Sequence, residues 1–209
     1  MMMLALEFSS ERRSVALTRG GAVVAEAVEQ TGGRGTDAFG LIEKVLTESK
    51  VSREAIEAIV VGLGPGSYTG IRAAIAVAQG WQLATGVKLL GVSSAEAIAV
   101  QAQAGKIFGR VNVAIDAQRG EFYLATWEIS AAGRREISPL KIVSAAEVAA
   151  IQSGGGICLG PEMSPPVFPT AAAVAQLAMG RKDFMAGEKL EPIYLRATTF
   201  VKAPGSRQF

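Results

Sequence analysis

The 209-residue sequence contains no histidine. That absence excludes Ser-His-Asp and Cys-His catalysis, histidine-ligated zinc and the HExxH metalloprotease pattern, each of which needs an imidazole as base or ligand. Cysteine occurs once, as Cys158, which leaves no internal disulfide and no thiolate metal cluster and fits a cytoplasmic setting. Charge of either sign is sparse. The 21 basic and 19 acidic residues leave a net charge of +2, too near balance to draw RNA or an anionic membrane by charge alone. Long hydrophobic runs are missing too. The apolar stretches are rich in Ala and Gly and are broken before the ~18 residues that a membrane-spanning helix requires. Met1 to Leu6 runs straight into Glu7, Glu11, Arg12 and Arg13, which is not the layout of a signal peptide. Hydrophobic residues nonetheless make up 49% of the chain, enough to bury a sizeable core, so general disorder is excluded.

The pattern of what is present predicts an α/β protein. Met2 to Phe8, Ser14 to Thr18 and Ala22 to Val28 read as three strands, the last two joined at Gly20-Gly21. A polar loop follows from Gln30 to Gly35. Apolar residues at Ala38, Phe39, Leu41, Ile42, Val45 and Leu46 then predict a helix over Thr36 to Glu48. Ala58 to Gly62 is short and β-branched, as a buried parallel strand should be. It leads through a Gly-rich loop to a helix over Gly70 to Ala84, a strand over Lys88 to Val92 and a helix capped by Ser93 with Glu96 three residues on. Gly105 to Gly109 marks a domain boundary. The pattern then restarts, with strands at Val111 to Ile115, Glu121 to Glu128 and Arg135 to Val143. A helix capped by Ser144 with Glu147, a short strand over Gly156 to Gly160 and a helix over Thr170 to Arg181 complete it. Both halves therefore run strand, strand, strand, helix, strand, helix, which predicts duplication of one unit into lobes 1–105 and 106–196 facing across a cleft, with 197–209 as a tail.

Few residues offer chemistry. Glu7 and Asp116 close equivalent strands, Leu4-Ala5-Leu6-Glu7 and Val113-Ala114-Ile115-Asp116. Carboxylates at strand ends facing a cleft can hold a cation through water or take a proton, or simply be solvated. The loop Gly64-Pro65-Gly66-Ser67-Tyr68-Thr69-Gly70 lies between strand and helix, with Thr69 placed to cap the helix. It reads equally as an anion-holding turn and as a turn that lets helix and sheet pack closely. It lacks the Lys of a Walker A loop and the spacing of a dinucleotide fingerprint, and Pro65 removes an amide donor. Arg72 and Arg119 could meet phosphates or serve in surface ion pairs, and Cys158 reads as an inert core thiol. In the helix after the loop, polar side chains are confined to Arg72, Gln79 and Gln82 beyond its first turn. Its apolar surface exceeds what one sheet face needs, so it is either buried within its own domain or a docking surface for a partner.

The stretch from Ala58 through the loop to Arg72 resembles the signature of the TsaB (YeaZ) family. So do Leu4 to Ser10, Gly91-Val92-Ser93-Ser94, Ala114 to Tyr123 and Pro192-Ile193-Tyr194-Leu195-Arg196, in order along nearly the whole chain. The resemblance implies a two-lobed actin-like ATPase (ASKHA, ribonuclease H-like) fold. It also implies a non-catalytic role in forming N6-threonylcarbamoyladenosine in tRNAs that read codons beginning with A. The implied partners are a TsaD-like transferase and a TsaE-like ATPase, with tRNA met indirectly and self-pairing when the chain is alone. No cofactor of its own is implied, ATP or ADP and Mg entering only in the complex. Pairing through the first-lobe helices would place Phe39, Ile42, Leu46, Ile71, Ala74, Ile75 and Ala78 at the partner surface, and Glu7 and Asp116 in a degenerate nucleotide cleft. The family usually has Asp where this chain has Glu7, and often a His where it has Thr36-Asp37. The competing reading is a stand-alone kinase or ATPase of the same fold.

Overall fold

The computed structural model describes residues 1–30 and 37–196. Thr36, most of the Gln30 to Gly35 loop and the 197–209 tail lie outside the described residues. The first half folds as β1 (Met2–Glu7), β2 (Arg12–Arg19), β3 (Ala22–Gln30), α1 (Ala38–Ser49), β4 (Ala58–Gly62), α2 (Tyr68–Thr85), β5 (Lys88–Val92) and α3 (Ser94–Ala104). The second folds as β6 (Gly109–Asp116), β7 (Glu121–Ser130), β8 (Gly133–Ser144), α4 (Ala145–Ser153), β9 (Ile157–Leu159) and α5 (Ala171–Ala178).

Duplication is visible in the sheets. The first has the order β3-β2-β1-β4-β5 and the second β8-β7-β6-β9. In each, the first strand pairs antiparallel with the second and parallel with the fourth. Alternation of side chains sorts β1 cleanly: Leu4 and Leu6 face α1 and α2, while Met3 and Ala5 face α5. The two sheets sandwich α3 and α5. Ala95, Ile98, Ala99 and Ala102 of α3 pack on Val111, Val113, Tyr123 and Trp127 of the second sheet, whereas α5 packs on the first.

The position of α5 corrects the expected lobe boundary. Ala171, Val174, Ala175 and Ala178 are buried against β1, β2 and β4, and the Ala171 amide donates to Ser14 Oγ of β2 at 2.8 Å. After α5 the chain stays on the first lobe. Met185 bridges to Leu89 at the edge of β5, Gly187 is clasped by the side chains of Gln79 and Gln82, and the Ile193 amide donates to the Leu63 carbonyl. Residues 106–196 are therefore not one lobe. Among the described residues the second sheet has four strands against five in the first, and the last helix of the second half covers the larger apolar face next door.

Helix starts differ from expectation in instructive ways. Asp37 caps α1 through the Gly40 amide, and Ser67, not Thr69, caps α2 through the Gly70 amide. Ser144 and Glu147 form a reciprocal capping box. At α3 only the Ser93 half forms, because the Glu96 carboxylate is drawn to Arg134 of β8 at 3.3 Å.

Candidate functional site

A cleft of about 780 Å³ opens between the ends of β1 and β6, lined on one side by Ser9, Ser10, Glu11 and Ser67 and on the other by Asp116, Arg119 and Glu162. Segment 192–196 closes one flank with Tyr194 and Arg196. In the sequence these two stand only within the matching stretch Pro192 to Arg196. Nothing in their spacing says that the chain returns from the first lobe to the cleft, nor does any periodicity mark Glu162 or Phe168, which also line it.

Glu7 is not in the cleft. It is fully buried, with Oε1 accepting from the Ser9 amide at 2.8 Å and Oε2 from the Ser94 hydroxyl at 2.8 Å. Ser94 Oγ in turn accepts from the Gly64 amide. The carboxyl thus ties the end of β1 to the start of α3 and to the motif loop. A Cβ on Gly62 would lie 2.0 Å from Glu7 Oε2, so the bare glycine leaves room for the buried carboxyl. Burial pushes the Glu7 carboxyl above the usual glutamate range, against the opposing pull of its Ser9 and Ser94 hydrogen bonds.

Asp116 does line the cleft, but it is committed locally. Its Oδ1 accepts from the Gln118 amide at 2.8 Å and Oδ2 from the Gln118 side chain at 2.6 Å. The same i to i+2 bond occurs at both repeat-equivalent acids, so the shared strand-end carboxylate is a turn-holding device in each lobe. Glu162 accepts from the Asp116 amide. Burial pushes its carboxyl up, and Asp116 and Glu11 add in the same direction. Among the described residues no three acidic, His or Cys side chains converge to hold a metal ion.

The motif loop packs closely on the end of β1 and the start of α3. The amides of Gly64, Ser67 and Gly70 are taken by Ser94 Oγ, the Ser9 carbonyl and Ser67 Oγ. A Cβ on Gly66 would sit 2.1 Å from the Ser9 carbonyl oxygen, and one on Gly70 would sit 1.9 Å from that of Phe8. The glycines make room for protein backbone, not for a phosphate. With Glu7 buried, Asp116 bound to its own turn, and Glu11 and Glu162 in the wall, the residues present do not fit a nucleotide polyphosphate.

Of the residues assigned to a partner surface, six are core. Ile42, Leu46, Ile71, Ala74, Ile75 and Ala78 are all buried together against β1 and β4, and Phe39 alone is exposed, at 72%. Periodicity showed the apolar faces of α1 and α2 but not which neighbour they meet. The outward face of α2 is a different set: Thr69, Arg72, Ala76, Gly80, Ala84 and Leu83, the last 89% exposed. Gln79 and Gln82 are spent on the 185–187 segment. On β7, Glu121 pairs with Arg196, while Tyr123 and Trp127 are buried in the second lobe. Cys158 is half-buried beside α4, and burial pushes its thiol up.

Two lobes on one repeated strand order, with a cleft at the strand ends, define the class of actin-like ATPase folds. Residues 37–186 match the family model for TsaD, tRNA N6-adenosine threonylcarbamoyltransferase, and the chain belongs to this family. It is 35% identical over 128 residues to the tRNA threonylcarbamoyladenosine biosynthesis protein TsaB of Escherichia coli, covering 61% of this chain and 55% of that protein. The corresponding TsaB of Bacillus subtilis is 28% identical over 130 residues, 61% of this chain and 56% of that protein. The chain thus spans about half the length of the curated relatives it matches. YeaZ from Pseudomonas aeruginosa superposes with a TM-score of 0.76 at 27% identity, over 93% of this chain and 99% of that one. A Pseudomonas aeruginosa protein described as similar to peptidase YeaZ gives 0.80 at 26% identity over the same shares. No helix among the described residues is long and apolar enough to cross a membrane.

Proposed function

We propose that the chain is a non-catalytic scaffold subunit in the formation of N6-threonylcarbamoyladenosine in tRNA, pairing with a TsaD-like transferase that a TsaE-like ATPase serves. The observation that carries this reading is Gly80. It lies within α2, is exposed, and a Cβ there would meet nothing within 4 Å beyond its own helix backbone and chain neighbours. A glycine in a helix interior costs about 1 kcal/mol relative to alanine and here gains no internal packing in return. With Ala76 one turn before and Leu83 nearly bare beside it, it suits the close approach of a partner helix. Phe39 is likewise exposed, on α1, which touches α2.

Gly80→Ala should therefore raise the stability of the free chain by about 1 kcal/mol in urea unfolding and, in pull-down, weaken capture of the TsaD-like subunit. A variant that gains stability and keeps full partner affinity would reject this face. The committed carboxylates and loop amides of the cleft support the absence of independent chemistry. Purified chain should hydrolyse no ATP, and turnover lost on Asp116→Ala would favour a stand-alone ATPase instead.

A further inference from the structure

Tyr68 and Tyr194 meet at the flank of the cleft, ring centroids 5.3 Å apart and planes tilted by 35°. They come from opposite ends of the fold, the first turn of α2 and the end of the segment that returns over the first lobe. Both stay open, 51% and 43% exposed. The Arg72 guanidinium lies 5.1 Å from the Tyr68 ring centroid and also donates to its hydroxyl. Two aromatic rings left half in water are costly for a structure that needs them only as packing. Rings flanked by a guanidinium are the composition of a base-stacking surface.

The charges around the pair select among ligands. Arg119 lines the same cleft from the β6–β7 turn, and Arg196 sits on that turn through the Ala117 carbonyl. Glu11, Asp116 and Glu162 in the cleft wall repel a polyphosphate, while carboxylates accept readily from the N–H groups of a base edge. A single backbone phosphate at the rim, with its base on the tyrosines, meets attraction at both ends.

We infer that Tyr194 and Tyr68, with Arg72, form a stacking platform for one unpaired nucleobase of an RNA loop. The inference rests on the proposed role in tRNA modification and adds a direct RNA contact to it. The platform supplies one stacked base and few phosphate contacts, so affinity for the isolated chain is weak and falls with salt.

The chain has three tyrosines, Tyr68, Tyr123 and Tyr194, so fluorotyrosine labelling gives three fluorine resonances. A seven-nucleotide single-stranded RNA should shift those of Tyr68 and Tyr194, and duplex RNA of equal charge should not. Tyr194→Leu should weaken binding about tenfold and Tyr194→Phe should preserve it, since stacking needs the ring and not the hydroxyl. Equal binding by Tyr194→Leu, equal shifts with duplex RNA, or equal affinity for AMP alone would overturn the platform. Restoration of threonylcarbamoyladenosine in cells depleted of the native scaffold is the parallel measurement. Restoration without RNA-induced shifts rejects the platform and leaves the proposed function standing, whereas shifts without restoration support the platform and reject that function.

Discussion

Replacing Glu7 by alanine is expected to cost about 4 kcal/mol and to lower the melting temperature by roughly 10 °C. The substitution empties a fully buried site and strands two donors, the Ser9 amide and the Ser94 hydroxyl, in a place water does not reach. Glu7→Gln isolates the charge. Burial raises the folded-state pKa above that of the unfolded chain, so the stability Glu7 confers is fully present below the unfolded value and is lost as pH rises through the folded one. Glutamine has no such dependence. Unfolding titrations between about pH 4 and about pH 8 should show the wild type losing stability relative to Glu7→Gln as pH rises. A constant difference across that range would mean that the carboxyl does not change protonation on folding.

The second large effect separates core from surface on one helix. Ala74→Arg is expected to unfold the chain, because Ala74 is fully buried against the first sheet and a guanidinium there has no partner. Ala76→Arg, two residues on and exposed, should leave the circular dichroism and melting temperature unchanged while abolishing capture of a TsaD-like subunit. Folded Ala74→Arg would contradict the packing of α2. Ala76→Arg that still captures the partner would move the docking face elsewhere.

These two residues also mark how far the sequence carries. The apolar periodicity of α2 was legible, as was the surplus of small residues on it. Periodicity gives an angle round a helix axis, though, and not the identity of what lies at that angle. The spacing leaves Ala74 and Ala78 open as core or docking stripe, the resemblance puts them at the partner surface, and they are the core stripe; the outward stripe of Ala76 and Gly80 follows only once the sheet is in place. Glu7 shows the same limit. That an acid ends β1 is written in the chain, and so is its kinship with Asp116. Whether the carboxyl meets solvent depends on Ser94, 87 residues away, reaching back to it.

Local physics is what the sequence by itself determined. Strands β4 and β5 fall at their expected bounds, the strand order of one half repeats in the other, and short polar side chains start helices where they stand, Thr69 giving way to Ser67 two residues earlier. Each depends on neighbours within a few residues, or on a pattern that recurs at fixed spacing. Only the tertiary structure decided that α5 leaves its own half to cover the first sheet, that Gln79 and Gln82 of α2 clasp the returning segment, and that this segment sets Tyr194 on Tyr68. Those contacts join residues roughly a hundred positions apart. They follow from which sheet face is left apolar and uncovered, a property of the assembled layers that no single stretch of the chain encodes.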